Sequence, residues 1–342
     1  MVDYLQHWRA NSPVFTSAPD TTSLFFNDQL KQVAERFRTG FVQGLPVMAM
    51  GGATGSGKST LLRWIYDSLD PTRYEVMMVV LFKTETNSGW LAPRLAAMLG
   101  VDSPDKQNYS SYLAAIGQRL DEIRQENRRL VLLIDACERI QHSAALEELS
   151  ALVDVQLSGS ATVSILLAGA DEFHSGVMSS SSPGSAPLAG RVGWRDHLPA
   201  LKASDGPGYV NRRLTEAGIS GEIFTTEAAD LAARLSNGNL HLLNSLCENA
   251  LVDSAEASAD QVTRESVQHA ARFILETYVR SQAQAQAQVQ APIAPAQEKA
   301  AKAAPGQQPH QIPSRPSGDK DADVPLKSLF KQKDGSNRKK SK

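Results

Sequence analysis

Gly51-Gly52-Ala53-Thr54-Gly55-Ser56-Gly57-Lys58-Ser59-Thr60 is the stretch whose reading decides the fold of this chain. The apolar run Leu45 to Met50 precedes it, and the helical-looking Leu61-Leu62-Arg63-Trp64-Ile65-Tyr66 follows. Strand, glycine-rich loop and helix start, in that order, are the setting of a P-loop. Glycines let successive backbone N–H groups curl round phosphate oxygens, and the positive end of the new helix points at the same anion. Lys58 then reaches the β- and γ-phosphates, and the Ser59 hydroxyl binds Mg²⁺. Gly52 to Thr60 are therefore candidate nucleotide ligands, with ATP and Mg²⁺ as the expected cofactors.

Downstream, Tyr74 to Phe82 is a nearly continuous apolar run of the kind buried parallel strands carry. Further strands are expected at 130–136, 161–170 and 191–198, with helices at 88–99 and 109–127 between them. Strands alternating with helices predict an α/β domain with a parallel sheet. Upstream, an amphipathic helix is expected over 27–40, with Leu30, Val33, Ala34 and Phe37 on one face. Before it, Tyr4, Leu5, Trp8 and Phe15 are spaced like a short packing segment. Beyond residue 200 the pattern turns helical, near 206–217, 225–236, 239–254 and 263–280.

From Ser281 the composition collapses into Gln-Ala alternation (Gln282 to Gln290), then Pro, Ala, Lys and Asp. Such a segment buries too little apolar surface to offset the entropy of ordering, although its first part can extend the preceding helix. The expected division is an α/β domain with the N-terminal packing segment at 1–200, a helical lid at 201–280 and a disordered tail at 281–342.

Composition narrows the function classes. The 342 residues are 42% hydrophobic and carry a net charge of −2, which suits a soluble globular core. Charge is uneven: residues 281–342 hold 11 Lys/Arg against 5 Asp/Glu, leaving 24 against 32 in the first 280. An acidic body makes DNA the less favoured partner, since DNA affinity rests mainly on Lys/Arg contacts to phosphate. Two cysteines, Cys137 and Cys247, make no disulfide framework. With no apolar run near membrane-span length and no signal-peptide core, the expected location is cytoplasmic. The basic end of the tail can attract nucleic acid or anionic lipid, but with Leu326, Leu329 and Phe330 it reads rather as a solubilising segment or a docking peptide for a protein partner.

Leu130-Val131-Leu132-Leu133-Ile134-Asp135 is the second nucleotide signature. A carboxylate at the carboxyl end of an apolar strand beside a P-loop strand reads as Walker B, with Asp135 holding Mg²⁺ directly or through water. Hydrolysis also asks for a group that polarises the attacking water. Many P-loop ATPases place an acid directly after the Walker B Asp, and here that position is Ala136. Glu138 is the nearest candidate, weighed against a surface charge; Glu85, after the second strand, is a weaker one.

The order of further blocks carries a resemblance. Tyr4-Leu5-Gln6-His7-Trp8 with Pro13-Val14-Phe15, the loop at 52–59, Leu132 to Asp135 and Leu166-Leu167-Ala168-Gly169 come first. Leu188-Ala189-Gly190-Arg191-Val192, Tyr209-Val210-Asn211-Arg212-Arg213-Leu214 and Gly238 to Ala250 follow. Over about residues 1–275 the chain resembles the AAA+ ATPases of the general secretion pathway A (ExeA-type) group, whose relatives include transposition-system ATPases. The resemblance implies a P-loop sheet of AAA+ type followed by a small helical lid, nucleotide between them, and ATP-dependent homo-oligomers that share groups between subunits. By position it implies that Arg191 is an arginine finger, weighed against an ordinary surface arginine, and that Asp171 is a sensor or a helix cap. The chain departs from the group at Ala136, at Leu240-His241 in place of Pro-Arg in the lid, and in its polar tail. His241 remains a candidate phosphate contact when protonated.

Three functions follow as expectations. The first is a cytoplasmic ATPase with slow hydrolysis that drives assembly or regulation of a secretion, pilus or envelope machine. The second is a DNA-dependent ATPase of the transposition-regulator type. The third is a nucleotide-binding scaffold with little hydrolysis.

Overall fold

The computed structural model describes residues 3–15, 27–81, 89–102, 105, 108–140, 143–157, 163–171, 173 and 186–290. Glu85 and the tail beyond Gln290 lie outside the described residues. After the single-turn helix α1 (Tyr4–Trp8) and helix α2 (Asp28–Gln43), the sheet region runs β1 (Val47–Gly51), α3 (Lys58–Ser68), β2 (Tyr74–Val80), α4 (Leu91–Met98), α5 (Tyr109–Gln125), β3 (Arg129–Asp135), α6 (Ser143–Leu157), β4 (Val163–Ala168), the short α7 (Ala186–Ala189) and β5 (Val192–His197). Helices α8 (Gly206–Glu216), α9 (Thr226–Ser236), α10 (Leu240–Glu256) and α11 (Arg264–Gln290) follow.

All strand pairs are parallel, in the order β2-β3-β4-β1-β5. The central strands β1 and β4 are buried along their whole length. Uninterrupted apolar runs such as Val47-Met48-Ala49-Met50 need both faces covered, which is why helices flank the sheet on each side. On one face Phe37 and Phe41 of α2 and Leu61, Leu62 and Ile65 of α3 pack on Met48, Met50 and Leu133. On the other, Leu95, Ile116, Ile123 and Leu149 from α4, α5 and α6 pack on Leu132, Ile134 and Ile165. The parallel arrangement brings the carboxyl ends of all five strands to one edge, where open α/β sheets bind ligands.

The P-loop sheet with a following helical region is as the sequence implied, with element ends displaced by a few residues. Two features differ. The last helix continues through the Gln-Ala run to Gln290, because Gln and Ala both favour helix. The N-terminal segment, grouped above with the sheet, has its buried side chains elsewhere. Trp8, Val14 and Phe15 belong to the cluster of Val210, Leu214, Leu243, Cys247 and Leu251 in the helical region. The polar contacts agree: Trp8 Nε1 donates to the Leu251 carbonyl at 3.1 Å, Phe15 N to Glu248 at 3.0 Å, and Asn11 N to the Ala217 carbonyl at 2.8 Å. Spacing along a chain identifies a packing segment without saying what it packs against.

Candidate nucleotide-binding site

The loop between β1 and α3 is built for an anion. Gly55 and Gly57 take φ of +80° and +97°, a region that costs a side-chain-bearing residue strain. Gly57 is the N-cap of α3, and no side chain caps the helix there, so the first amides of α3 have no capping oxygen. Ser56 Oγ is buried with no hydrogen-bond partner among the described residues. Lys58 folds back over the loop, its Nζ donating to the Gly52 and Ala53 carbonyls at 2.7 and 3.0 Å. A buried hydroxyl without a partner, an uncapped helix start and a lysine on carbonyls are a donor set that fits phosphate. Ser59 is exposed at the helix start.

The lid closes the other side. The cleft is lined by Gly55 to Thr60 together with Asn27, Leu30, Leu198, Pro199, Leu201, Tyr209, Arg213, Leu240, His241 and Asn244. Leu240 N donates to the Gly55 carbonyl at 2.8 Å, and a Cβ on Gly55 would lie 2.1 Å from Asn239 Oδ1. Helix α10 therefore starts directly on the loop; glycine suits position 55 by its φ, and a Cβ there would also displace the Asn239 side chain. His241 lines the cleft at an exposed position, the second residue of α10.

Sequence reasoning missed most of this wall. Leu30, Leu198, Pro199 and Leu240 supply apolar surface. Tyr209 donates to Asn244 Oδ1 at 2.7 Å, and Asn27, the N-cap of α2, donates to Asp205 at 2.9 Å. Arg213 is buried, with Nη2 donating to the Val14 carbonyl at 2.6 Å and Nη1 3.7 Å from Glu216. It brings a cation to the cleft and ties the N-terminal segment to it. The Tyr209 to Leu214 block was visible in the sequence, without a sign of which face it turned to the nucleotide.

Asp135 ends β3 on the same edge, with β4 between it and β1. It is 5% exposed, and its Oδ1 accepts from Ala136 N at 2.8 Å. Ala136 turns the chain with φ of +60° into a single 3₁₀ turn, Cys137 to Arg139. That turn carries Glu138 to an exposed position where Oε2 accepts from Ala170 N at 3.0 Å, bridging the ends of β3 and β4. Burial pushes the Cys137 thiol well above its ordinary pKa, with Glu138 and Asp135 adding to the shift, so the sulfur next to the site is a packing group. Among the described residues no three His, Cys, Asp or Glu cluster as a metal site. Ser59 and Asp135 are the oxygen-bearing side chains that could hold Mg²⁺ together with phosphate oxygens, the usual manner for this ion.

The two other charged candidates have partners within the chain. Arg191 is held by α6, with Nη1 donating to the Ser150 carbonyl at 2.8 Å and to its hydroxyl at 3.0 Å, and Nη2 2.5 Å from Asp154. Asp171, past β4, lies 2.9 Å from Nε2 of His197 at the end of β5.

The comparisons agree with this architecture. Residues 44–175 match the AAA domain family. General secretion pathway protein A of Aeromonas hydrophila is 24% identical over 277 residues, covering 78% of this chain and 48% of that protein, so the chain spans about half its relative's length. The solved Aeropyrum pernix ORC2 protein, in ADPNP–ADP complexes, superposes with a TM-score of 0.59 at 18% identity, covering 77% of this chain and 72% of that one. Cdc6p of Pyrobaculum aerophilum gives 0.60 at 13% identity, covering 76% and 70%. At such identities the structures speak for the fold alone. No helix among the described residues is long and apolar enough to cross a membrane. Residues 44–175 thus match the AAA domain family, and the chain is similar to General secretion pathway protein A, in line with the resemblance its sequence implied.

Proposed function

We propose that the chain binds Mg-ATP between the P-loop and the helical lid, hydrolyses it slowly, and assembles with copies of itself in the ATP-bound state to drive assembly or regulation of a secretion, pilus or envelope machine. The observation that carries the nucleotide reading is the two-sided cleft: an uncapped helix start, the buried Ser56 hydroxyl and Lys58 on one wall, Leu240 and His241 on the other. Bound Mg²⁺ neutralises charge on the β- and γ-phosphates and orients them for attack. The chain's own part is to hold the phosphates with the amides of Gly55 to Thr60 and with Lys58, to hold the ion with Ser59 and Asp135, and to shield the nucleotide behind the lid. Glu138 is the group available to orient a water, and Arg191 the guanidinium that a neighbouring subunit would receive. The class of machine rests on the likeness to General secretion pathway protein A.

A second reading, a nucleotide-binding scaffold, is favoured by the end of β3. Ala136 supplies no carboxylate, and Glu138 is engaged with Ala170 N. ATP turnover of the purified full chain, with and without DNA, together with its size in each nucleotide state, separates the readings. Turnover and ATP-dependent assembly support the first. Binding without turnover supports the scaffold, and stimulation by DNA revives the transposition-type alternative.

A further inference from the structure

Asn239 sits where three elements meet. As N-cap of α10 it accepts from Leu242 N through Oδ1 at 3.0 Å, which fixes the orientation of its amide. The same oxygen lies against Gly55 so closely that a Cβ there would be 2.1 Å away, and the next residue, Leu240, donates to the Gly55 carbonyl. Its Nδ2 donates to the Tyr278 hydroxyl at 2.6 Å. Tyr278 is on α11, where with Ile274 and Leu275 it packs against Leu242 and Leu246 of α10.

The P-loop end of this chain of contacts is where an anion would compete with the protein. Lys58 donates to the Gly52 and Ala53 carbonyls, and phosphate oxygens in the loop would compete with those carbonyls for its ammonium. A change in the path of the loop meets Asn239 directly, since Gly55 leaves no slack between them. We propose that Tyr278 is a positioning residue that ties α11 to the P-loop through Asn239, so that the last turns of α11 respond to nucleotide. This rests on the nucleotide-binding reading of the cleft. Coupling of this kind is reciprocal: what changes the hold of α11 on Asn239 also changes nucleotide affinity.

The test is amide hydrogen exchange on the full chain, with and without Mg²⁺ and a non-hydrolysable ATP analogue, in wild type and Tyr278→Phe. Phenylalanine keeps the ring that packs on Leu242 and removes only the hydroxyl. In wild type the analogue is expected to slow exchange in residues 52–60 and also in 274–290. In Tyr278→Phe the loop keeps its protection, the nucleotide-dependent difference in α11 disappears, and analogue affinity falls about 3- to 10-fold, the scale of one hydrogen bond. Exchange of α11 without nucleotide rises only modestly, since its apolar contacts with Leu242 and Leu246 remain, whereas a merely structural tyrosine would leave the nucleotide-dependent difference in place. Asn239→Ser retains a capping oxygen but not the amide donor, and is expected to uncouple α11 in the same way. Protection of the loop with no change in wild-type α11 overturns the coupling alone. A nucleotide-dependent difference that survives in both variants overturns the role of Tyr278. No protection of the loop overturns the nucleotide reading, and this inference with it.

Discussion

The carboxyl ends of β1 and β3 lie on one edge of one sheet and are furnished very differently. After β1 stand the groups that phosphate binding asks for: an uncapped helix start, a buried hydroxyl, a lysine on carbonyls. After β3 stands Asp135, then an alanine in a left-handed turn, then a glutamate bonded to the end of β4. The contrast teaches that binding and turnover are separate demands on the same edge. A chain can carry the donors that the first asks for without a carboxylate directly after the strand for the second.

The strongest way to break the comparison is at β1. Lys58→Ala is expected to reduce Mg-ATP affinity by on the order of 10²-fold or more without unfolding the protein, because Lys58 supplies charge to the loop, where it donates to the Gly52 and Ala53 carbonyls, and is no part of the apolar core. Equal affinity in a folded mutant, by fluorescence titration, would remove the P-loop from the site.

Next comes the end of β3. Glu138→Gln keeps an oxygen for Ala170 N, so the fold should hold while turnover drops by about 10²-fold, the lower scale of general-base loss. An unchanged single-turnover rate would leave Glu138 as a tie between two strands.

A third experiment sharpens the contrast by asking whether a neighbour completes the site. Arg191→Ala and Lys58→Ala subunits, each inactive alone, are expected to recover a fraction of wild-type turnover when mixed, since some shared sites then hold both groups. Mixed oligomers inactive at every ratio would confine Arg191 to its contacts with Ser150 and Asp154.

The smallest effect belongs away from the edge. Glu248 accepts from Phe15 N and from the Tyr4 hydroxyl, and burial and this carboxylate together raise the Tyr4 pKa above its ordinary value. Glu248→Ala is expected to cost about 1–3 kcal/mol in thermal or denaturant unfolding, the range for orphaned buried donors. A drop in analogue affinity as large as that of Lys58→Ala would make the N-terminal segment part of the site.

Legibility in the sequence followed range. The loop at 52–60 and the run ending at Asp135 are local patterns, and each sits where its pattern implied. Arg213, Tyr209 and Asn244 reach the cleft only because α8 and α10 pack in one particular rotation, which no local spacing reports. The same holds for Trp8, whose partner Leu251 is 243 residues away. His241 was singled out for its place in a motif, yet nothing near it in sequence says that α10 begins against Gly55. Arg191 was picked for its position before the last strand. Its partners on α6, Ser150 and Asp154, were invisible because they lie some forty residues upstream.

The docking of the first residues onto the helical region has a consequence in time. A ribosome adds about 5–20 residues per second. Trp8 therefore waits for its hydrogen-bond acceptor, the Leu251 carbonyl made 243 residues later, for roughly 12–50 s at that rate. The sheet, complete at His197, has its strands well before then. The wall that Arg213 shares with Val14 and the approach of α10 to Gly55 come last. During synthesis the residues of the phosphate loop are therefore all made before those that cover it, and Trp8 waits upstream for its partner.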